Sequence, residues 1–533
     1  MGWRWGGLLL LGGAIALSPA AWAETLPLAA PPAASPTESP PESPTPEPST
    51  EPLQPAALES EVVPLTLPDL LNLTLAGNRE LRNQVLERLV QRQQLAAAEQ
   101  TFSPRLTPTL RVDAARRRFG NGGVSDPELG LLPGSSSDFD QQVRLDATLA
   151  TPLGTQLGLG LTPLAGGQAL QFEISQPLLR GFGRAVNTAP LNQARLGESR
   201  NQLALRGTVI DTLTNAILRY NDLINAQAQV EIQAQALERR QRQLEILQAL
   251  VNAGRRAPID LFDPERSVAE AERSLVEAQN RLDQANSTLL NLIGTDRDLR
   301  FVAAIDTIDQ LFETAAAQVA TYEPEALVEL AIAQRTDYRQ AQLQRQQQEL
   351  DLLVAQDGLR WQLNAVADGT LGNGSRSAVG LVASRTFGDP QPETTRLASD
   401  VALQQQDNTL AQLQDQIRND AIAGLSAAQA SLLQVAAAER ATLNARRQLT
   451  ADQEQFRLGR GGVTLFQLIN QEESLVTAET NELAARIAFL NSVAQLEQTV
   501  GITLERWAAE LERSPVLQEA APEPAESTTY PDP

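Results

Sequence analysis

The longest regular feature of the sequence is a heptad repeat of apolar residues between Asn187 and Asn252. Pro190 falls in the first turn of the predicted helix, where proline is tolerated, and no proline follows it. Two neighbouring rows carry the spacing of seven: Leu196, Leu203, Ile210, Ile217 and Ile224, then Leu223, Val230, Leu237, Leu244 and Val251. A strict seven-residue period keeps one stripe on a partner helix and predicts a left-handed supercoil. At 1.5 Å per residue, the predicted helix is roughly 100 Å long.

The partner helix follows directly in the sequence, after a break at residues 253–258. It carries two heptad rows of its own: Val268, Leu275, Leu282 and Leu289, with Ala271, Ala278, Ala285 and Leu292 three residues further on. Alanine in one row allows two helix backbones to approach closely. We therefore predict an antiparallel helical hairpin whose tip lies near Gly254.

The composition excludes several kinds of function. The 533 residues include no cysteine and no histidine, so disulfides, thiol nucleophiles, Cys/His metal sites and histidine acid–base chemistry are ruled out. No Asp/Glu group has a spacing that would converge outside ordinary helix faces. We therefore predict no enzyme, no catalytic residue, no cofactor and no metal. The net charge of −22 also argues against a nucleic-acid partner.

The N-terminal residues 1–23 have the pattern of a secretory signal peptide, with Arg4, an apolar run and a small-residue cleavage site at Ala21-Trp22-Ala23. The alternative is an uncleaved anchor, for which the run is short. Residues 24–64 are rich in Pro, Ser, Thr and Glu, which predicts a disordered linker. No other stretch is predicted to be a transmembrane helix. A membrane position would therefore require a β-barrel.

After a first predicted helix, Pro68 to Thr101, the hydrophobic period changes from helical to two. Apolar residues alternate with polar ones over residues 105–175. The apolar set is Leu106, Leu110, Val112 and Ala114, then Val143, Leu145, Ala147 and Leu149, then Leu157, Leu159 and Leu161, then Leu170, Phe172 and Ile174. Such strands suit a soluble sandwich, with the polar face outward, or a membrane barrel, with the apolar face on lipid. The alternation by itself leaves both open.

The chain then repeats itself. Residues 326–333 match residues 69–76 at an offset of 257, and the helix predicted for Leu465 to Val500 matches residues 259–293 at an offset of about 207. We predict a first repeat at residues 65–294 with strands at about 105–175. A connector at 295–323 leads to a second repeat at 324–504, with strands at about 361–387 and a long helix from Glu393 to Leu458. Residues 505–533 form a C-terminal segment with an acidic tail.

The two repeats, the junction QPLLRGFG at Gln176 to Gly183 and the glycine-rich tips resemble the TolC family of outer-membrane efflux proteins. The tips read AGRRAPIDL at Ala253 to Leu261 and RGGVTLFQL at Arg460 to Leu468. The resemblance covers about residues 65–504. It implies a mainly α fold with a transmembrane β part: a homotrimer with an α-barrel tunnel in the periplasm and one shared β-barrel in outer-membrane lipid. It also implies a periplasmic adaptor and an inner-membrane efflux pump or ABC exporter as partners. Small molecules or type I secreted polypeptides would then pass by passive conduction.

The resemblance also points to candidate site residues. Gly254, Arg255 and Asp260 mark the first tip, and Gly461, Gly462 and Gln467 mark the second, as candidates for adaptor docking. Members of the family often carry an acidic pair before the second tip that narrows the periplasmic entrance. Asp452 and Glu454 are the nearest candidates here. The alternative is that these charges are a solvated helix face.

The segments Val143 to Ala150 and Thr155 to Leu161 depart from the family pattern of two strands per repeat. They predict either an accessory hairpin on the outer loop or additional barrel wall, joined by a turn at residues 151–154.

A periplasmic coiled-coil adaptor without a pore is the alternative function. It would show one helical hairpin between sandwich-like segments rather than two complete repeats with amphipathic strands, so we favour the export channel.

Overall fold

The computed structural model describes residues 61–118, 135–164, 167–295, 299–303, 307–372, 375–458, 462 and 464–511. The predicted signal peptide, nearly all of the predicted linker and the acidic tail lie outside these residues. So does Gly461.

The first repeat begins with a short strand, β1 (Glu61–Leu65), and two helices, α1 (Leu67–Gly77) and α2 (Arg79–Glu99). Four strands follow: β2 (Arg105–Arg118), β3 (Ser135–Ala150), β4 (Gln156–Leu164) and β5 (Gly167–Pro177). The helical part consists of α3 (Arg184–Asn187), α4 (Ala189–Asn252), a 3-10 turn (Pro258–Leu261) and α5 (Phe262–Ile293). The predicted heptad helix is therefore present as α4, and it ends at the predicted residue.

The connector contains β6 (Leu299–Ala303) and α6 (Thr307–Thr321). The second repeat is α7 (Pro324–Gln334), α8 (Thr336–Gly358), β7 (Gln362–Leu371), β8 (Arg376–Ser384), α9 (Gln391–Arg457) and α10 (Leu465–Val500), followed by α11 (Thr503–Trp507). Helices α7 and α8 and strand β7 each begin 257 residues after α1, α2 and β2. The predicted fold class, two tandem copies of helix, strands, long helix and helix, is confirmed.

The first helix was predicted to be continuous to Thr101, and this is wrong. Asn78 has an extended backbone, φ −60° and ψ 126°, and separates α1 from α2. Its side-chain oxygen accepts hydrogen bonds from the amides of Glu80 and Leu81, and its Nδ2 donates to the Leu292 carbonyl at 3.1 Å. Asparagine is a favoured N-cap because its side chain satisfies amides that have no partner within the helix. The break thus starts a new helix and ties it to the end of α5.

The predicted linker also extends too far. Residues 61–64, the last four of the linker, belong to β1, which pairs in parallel with β6 of the connector. Tyr220, fully buried in α4, donates from its hydroxyl to the Leu65 carbonyl at 3.2 Å. The Ala303 amide, at the end of β6, donates to Gln227 Oε1 at 3.1 Å. The small sheet therefore lies against the middle of the longest helix of the first repeat.

Strands β2 to β5 and β7 to β8 form one antiparallel sheet in the order β2-β3-β4-β5-β7-β8. The predicted turn at residues 151–154 joins β3 to β4, with the Gly154 amide donating to the Thr151 carbonyl at 2.9 Å. The segments that depart from the family pattern are therefore full members of the sheet, and β2 and β8 are its edges.

The long helices pack side by side in the order α5, α4, α10, α9. Ala271 and Ala278 are almost fully buried in α5, as expected where two backbones approach closely. Among the described residues, α9 contains an 18-residue window that is apolar enough to cross a membrane by length and composition alone, and 22% of it is buried. The prediction that no segment beyond the signal peptide meets this criterion is wrong.

Candidate functional site

One face of the sheet is a polar surface that crosses strands β2 to β5 and β7, whereas β8 contributes Ala378, Gly380 and Val382 to this face. The pairing places Asp146 opposite Thr107 and Gly160, and it places Glu173 opposite Gly158 and Asp368. Because side chains alternate along a strand, these residues lie on the same face. Arg144 and Asp146 neutralise each other there, with Nε 2.7 Å from Oδ1.

Glycines deepen the polar face. Gly158 and Gly160 line an open depression of about 410 Å³ together with Thr148, Gln171 and Asp368. A Cβ atom on Gly160 would lie 3.0 Å from Asp146 Oδ1, so a side chain there would crowd the ion pair. The polar face therefore has room for water and solutes over its central strands.

The opposite face is apolar and exposed. Among its residues, Val379 is 87% exposed, and Leu106, Leu159, Ile174 and Leu381 are exposed as well. Exposed apolar residues in one contiguous layer indicate an interaction surface rather than a solvated one. With a polar face opposite, the pattern is that of a strand wall between lipid and water.

The first hairpin tip is built around Gly254, whose φ of +68° favours glycine. The Arg255 amide continues the turn and donates to the Leu250 carbonyl at 2.9 Å. Arg256 Nη1 lies 4.0 Å from Asp260 Oδ2, and its guanidinium stands 5.8 Å from the centre of the Phe456 ring at the end of α9. The two tips are thus adjacent. Gly254 and Arg255 are exposed, and Asp260 is half-buried.

The second tip contains Gly462, which has the same φ of +68°. Thr464 and Gln467 form a capping box at the start of α10: the Thr464 amide donates to Gln467 Oε1 at 2.9 Å, and the Gln467 amide donates to Thr464 Oγ1 at 3.3 Å. Gln467 therefore stabilises the start of α10, independently of any contact with a partner protein.

The structure does not bring Asp452 and Glu454 together within the chain. Asp452 is 9% exposed, and both of its carboxylate oxygens accept from Gln448 Nε2, at 3.0 and 3.1 Å. Glu454 has an exposed side chain that pairs with Arg457 at 3.3 Å. Two residues along a helix correspond to a rotation of roughly 200°, so the two carboxylates face different directions.

A partly buried charged cluster between the two hairpins was not predicted. Arg239 lies 3.6 Å from Glu479, which also accepts from Arg446 at 2.9 Å. Glu472, one heptad before Glu479, is 4% exposed, and its Oε2 accepts no hydrogen bond. Burial raises the pKa of the Glu472 carboxyl, although the charges of Arg239 and Arg240 act in the opposite direction.

Glu472 also lines a groove of about 600 Å³ between the ends of α4 and α9 and the start of α10, together with Arg242, Leu247, Phe456 and Leu468. A signal for the buried charges was present in the sequence. Glu472 and Glu479 share the heptad seam of Leu468 and Leu475, where apolar residues are expected.

Comparison with known proteins gives one family match, to the family described as outer membrane efflux protein, over residues 168–295. Comparison with curated proteins gives no match.

Solved structures share the fold over most of the chain. A crystal structure of CusC is 15% identical with a TM-score of 0.60, covering 82% of this chain and 92% of that one. The outer membrane protein VceC from Vibrio cholerae is 14% identical with a TM-score of 0.58, covering 82% and 96%. The MtrE outer membrane channel of Neisseria gonorrhoeae, in an open state, is 15% identical with a TM-score of 0.54, covering 82% and 88%. The predicted resemblance is confirmed.

Proposed function

We propose that this chain, which carries the outer membrane efflux protein pattern over residues 168–295, is an outer-membrane export channel that conducts its cargo passively. One observation carries the proposal. A single sheet with one exposed apolar face and one polar face continues directly into two long helical hairpins. In lipid, the apolar face contacts acyl chains and the polar face lines the water-filled path.

The open edges of the sheet support an oligomer. Within the described residues, the outer edges of β2 and β8 present unpaired backbone groups, which lipid cannot satisfy. Closure requires β8 of one copy to pair with β2 of the next. A homotrimer, the state implied by the family resemblance, would close a barrel of eighteen strands from three six-stranded sheets.

The outer face of α9 supports the same assembly. Eight of its 67 residues are buried, whereas eighteen of the 64 residues of α4 are buried. Leu397 and Leu433 lie 36 residues apart, or ten turns, so they share one face. Val401 and Ile422 fall close to that face, and all four are exposed within one chain. The apolar window of α9 is thus explained as a subunit contact rather than a membrane span.

The hairpins would then form a tunnel that extends into the periplasm. Their tips carry the candidate docking residues for a periplasmic adaptor, with an inner-membrane efflux pump or ABC exporter beneath. Arg255 and Arg256 are exposed there and available to a partner, and Asp260 is half-buried beside Arg256. Glu454 is the better placed of the two candidate constriction residues, because its carboxylate is exposed.

Cargo of either kind, small molecules or secreted polypeptides, is compatible with a polar lumen.

The decisive experiment uses the mature protein, purified in mild detergent. Native mass spectrometry should give a mass of three chains, and planar bilayers should show discrete conductance steps of long duration. A monomer that produces no conductance would overturn the proposal and would favour a periplasmic adaptor without a pore.

A further inference from the structure

The apolar face of the sheet ends, on the side of the helices, in a cluster of two aromatic residues and one arginine. In the ladder of β7 and β8, Leu363 lies opposite Ala383 and Ala367 opposite Val379. Extending this register by two residues places Trp361 opposite Arg385, on the face of Val379 and Leu381. Arg385 therefore stands at the end of an apolar layer, not on the polar face.

The side chains of this cluster contact one another. The Arg385 guanidinium carbon lies 5.3 Å from the centre of the Trp361 ring and 5.8 Å from that of Phe387. The two rings meet edge to face at 6.0 Å. Trp361 is 45% exposed and Phe387 is 77% exposed. The rings thus hold the guanidinium by cation–π contact while all three groups remain accessible.

The charge of Arg385 is not neutralised by a carboxylate in the described part of the chain. The nearest acids along the sequence act elsewhere. Asp389 accepts from the Gln391 amide at 3.0 Å at the start of α9. Asp357, almost fully buried, accepts from the Gly181 amide at 2.7 Å and pairs with Arg360 at 3.3 Å. Arg385 therefore presents free N–H donors at the boundary of an apolar surface.

We propose that Trp361, Arg385 and Phe387 form a binding site for the phosphate of an anionic phospholipid at the boundary of the bilayer. This inference rests on the proposed function, which places the apolar face in lipid. Tryptophan is enriched at the level of lipid headgroups, and a guanidinium donates two parallel hydrogen bonds to phosphate. The acyl chains of the same lipid would lie along Leu381 and Val379.

A phospholipid fits this surface better than an acidic protein does. The unpaired cation is continuous with an exposed apolar layer on the same face, and only a lipid carries a phosphate and acyl chains in one molecule. Side chains of an acidic protein would meet Arg385 but would leave Leu381 and Val379 without a partner.

Tryptophan fluorescence provides a direct test. The chain has five tryptophans, at 3, 5, 22, 361 and 507, so a protein that begins at Glu24 and carries Trp507→Phe retains Trp361 alone. This protein is reconstituted in vesicles of phosphatidylcholine with bromine near the headgroup end or near the methyl end of the acyl chains. Bromine near the headgroup end should quench Trp361 more strongly. If Trp507→Phe impairs folding, both Trp361 and Trp507 are kept. The part of the quenching that disappears when Trp361→Phe is introduced into this two-tryptophan protein then measures the quenching of Trp361.

The lipid preference is measured by competition between brominated phosphatidylglycerol and unlabelled phosphatidylcholine. We expect a preference of about fivefold for phosphatidylglycerol, corresponding to ~1 kcal/mol per basic residue near an anionic surface. Arg385→Gln should abolish the preference, and Arg385→Lys should keep part of it. Arg255→Gln, at the hairpin tip, is the matched control and should leave it unchanged.

Conductance is recorded from the same vesicles, so the two proposals fail separately. Vesicles that conduct while Trp361 remains unquenched would overturn the lipid site and leave the channel intact. The lipid site would also be overturned if the preference for phosphatidylglycerol survived Arg385→Gln or was lost in Arg255→Gln. Removal of the preference by inorganic phosphate would overturn it as well. Vesicles that neither conduct nor contain trimers would instead overturn the proposed function.

Discussion

The two repeats share the same order of helices but differ in their strands and in their burial. The first repeat places four strands in the sheet and the second places two. The long helix α4 is buried on several sides, whereas α9 is buried along one seam and apolar on the opposite side. The two copies of one pattern therefore differ in position: α4 is the inner helix of the chain and α9 is the outer helix. The outer element keeps the apolar face that a second copy of the chain would cover.

A single pair of residues illustrates the difference. Glu265 in α5 and Glu472 in α10 are 207 residues apart and occupy the same place in their repeats. Glu265 is exposed because α5 packs on α4 and leaves this side open, whereas α10 is enclosed between α9 and α4. The neighbours of a helix, rather than its own sequence, therefore decide whether the carboxylate is solvated.

The largest effect is expected from a charge on the outer face of α9. Leu433→Asp would bury an unpaired carboxylate in the proposed subunit contact, and we expect assembly to be abolished. The matched control is Gln434→Asp, which adds the same charge about 100° around the helix. Native gels of the two variants measure the outcome. Normal trimers of Leu433→Asp would exclude this face from the interface.

The difference in strand number between the two repeats can be removed by deleting residues 135–164, which contain β3 and β4. Strand β2 can then pair directly with β5, since its direction matches that of β4. Barrel diameter grows roughly in proportion to strand number, so four strands per chain instead of six should narrow the barrel by about a third. Exclusion of graded polyethylene glycols, added on the barrel side of a planar bilayer, measures the width. An unchanged cut-off in a conducting variant would place the two strands outside the wall.

Glu472→Gln tests the difference in burial between the repeats. The pKa of Glu472 is raised in the folded chain. The stability that Glu472 contributes is therefore fully present below the ordinary carboxyl pKa, and it is lost as the pH rises through the raised pKa. The variant should therefore melt a few degrees higher than the native chain near neutral pH, and the gain should vanish toward about pH 4. Glu265→Gln, the exposed counterpart, should change nothing. A native chain that melts higher than Glu472→Gln at neutral pH would show that the nearby arginines outweigh the cost of burial.

The smallest effect concerns the ends of the hairpins. Glu454→Gln should reduce the preference of the pore for cations by about twofold, because an exposed carboxylate raises the local cation concentration. Asp452→Asn should have little effect, since that carboxylate is buried and bonded to Gln448. Reversal potentials across a salt gradient distinguish the two. Equal effects would mean that both residues face the conduction path.

Much of the fold follows from periodicity. The heptads between Asn187 and Asn252 predicted α4, and the offset of 257 predicted the order of the second repeat. The alternation over residues 105–175 predicted the four strands β2 to β5, whereas β1 was assigned to the linker. The break at Asn78 was missed. The Asn78 side chain caps α2 locally through the amides of Glu80 and Leu81, but its bond to the Leu292 carbonyl joins it to α5, 214 residues away in the sequence.

The sequence alone thus determined which segments are helices and strands and which of their faces are apolar, since these depend on local periods. Only the tertiary structure decided which of those faces another part of the chain covers. Glu472 became buried, Asp452 turned into the hairpin, and Arg385 was placed beside Trp361 and Phe387. The physical reason is that burial and charge pairing depend on neighbours brought together by packing, and the local periodicity of the sequence does not specify those neighbours.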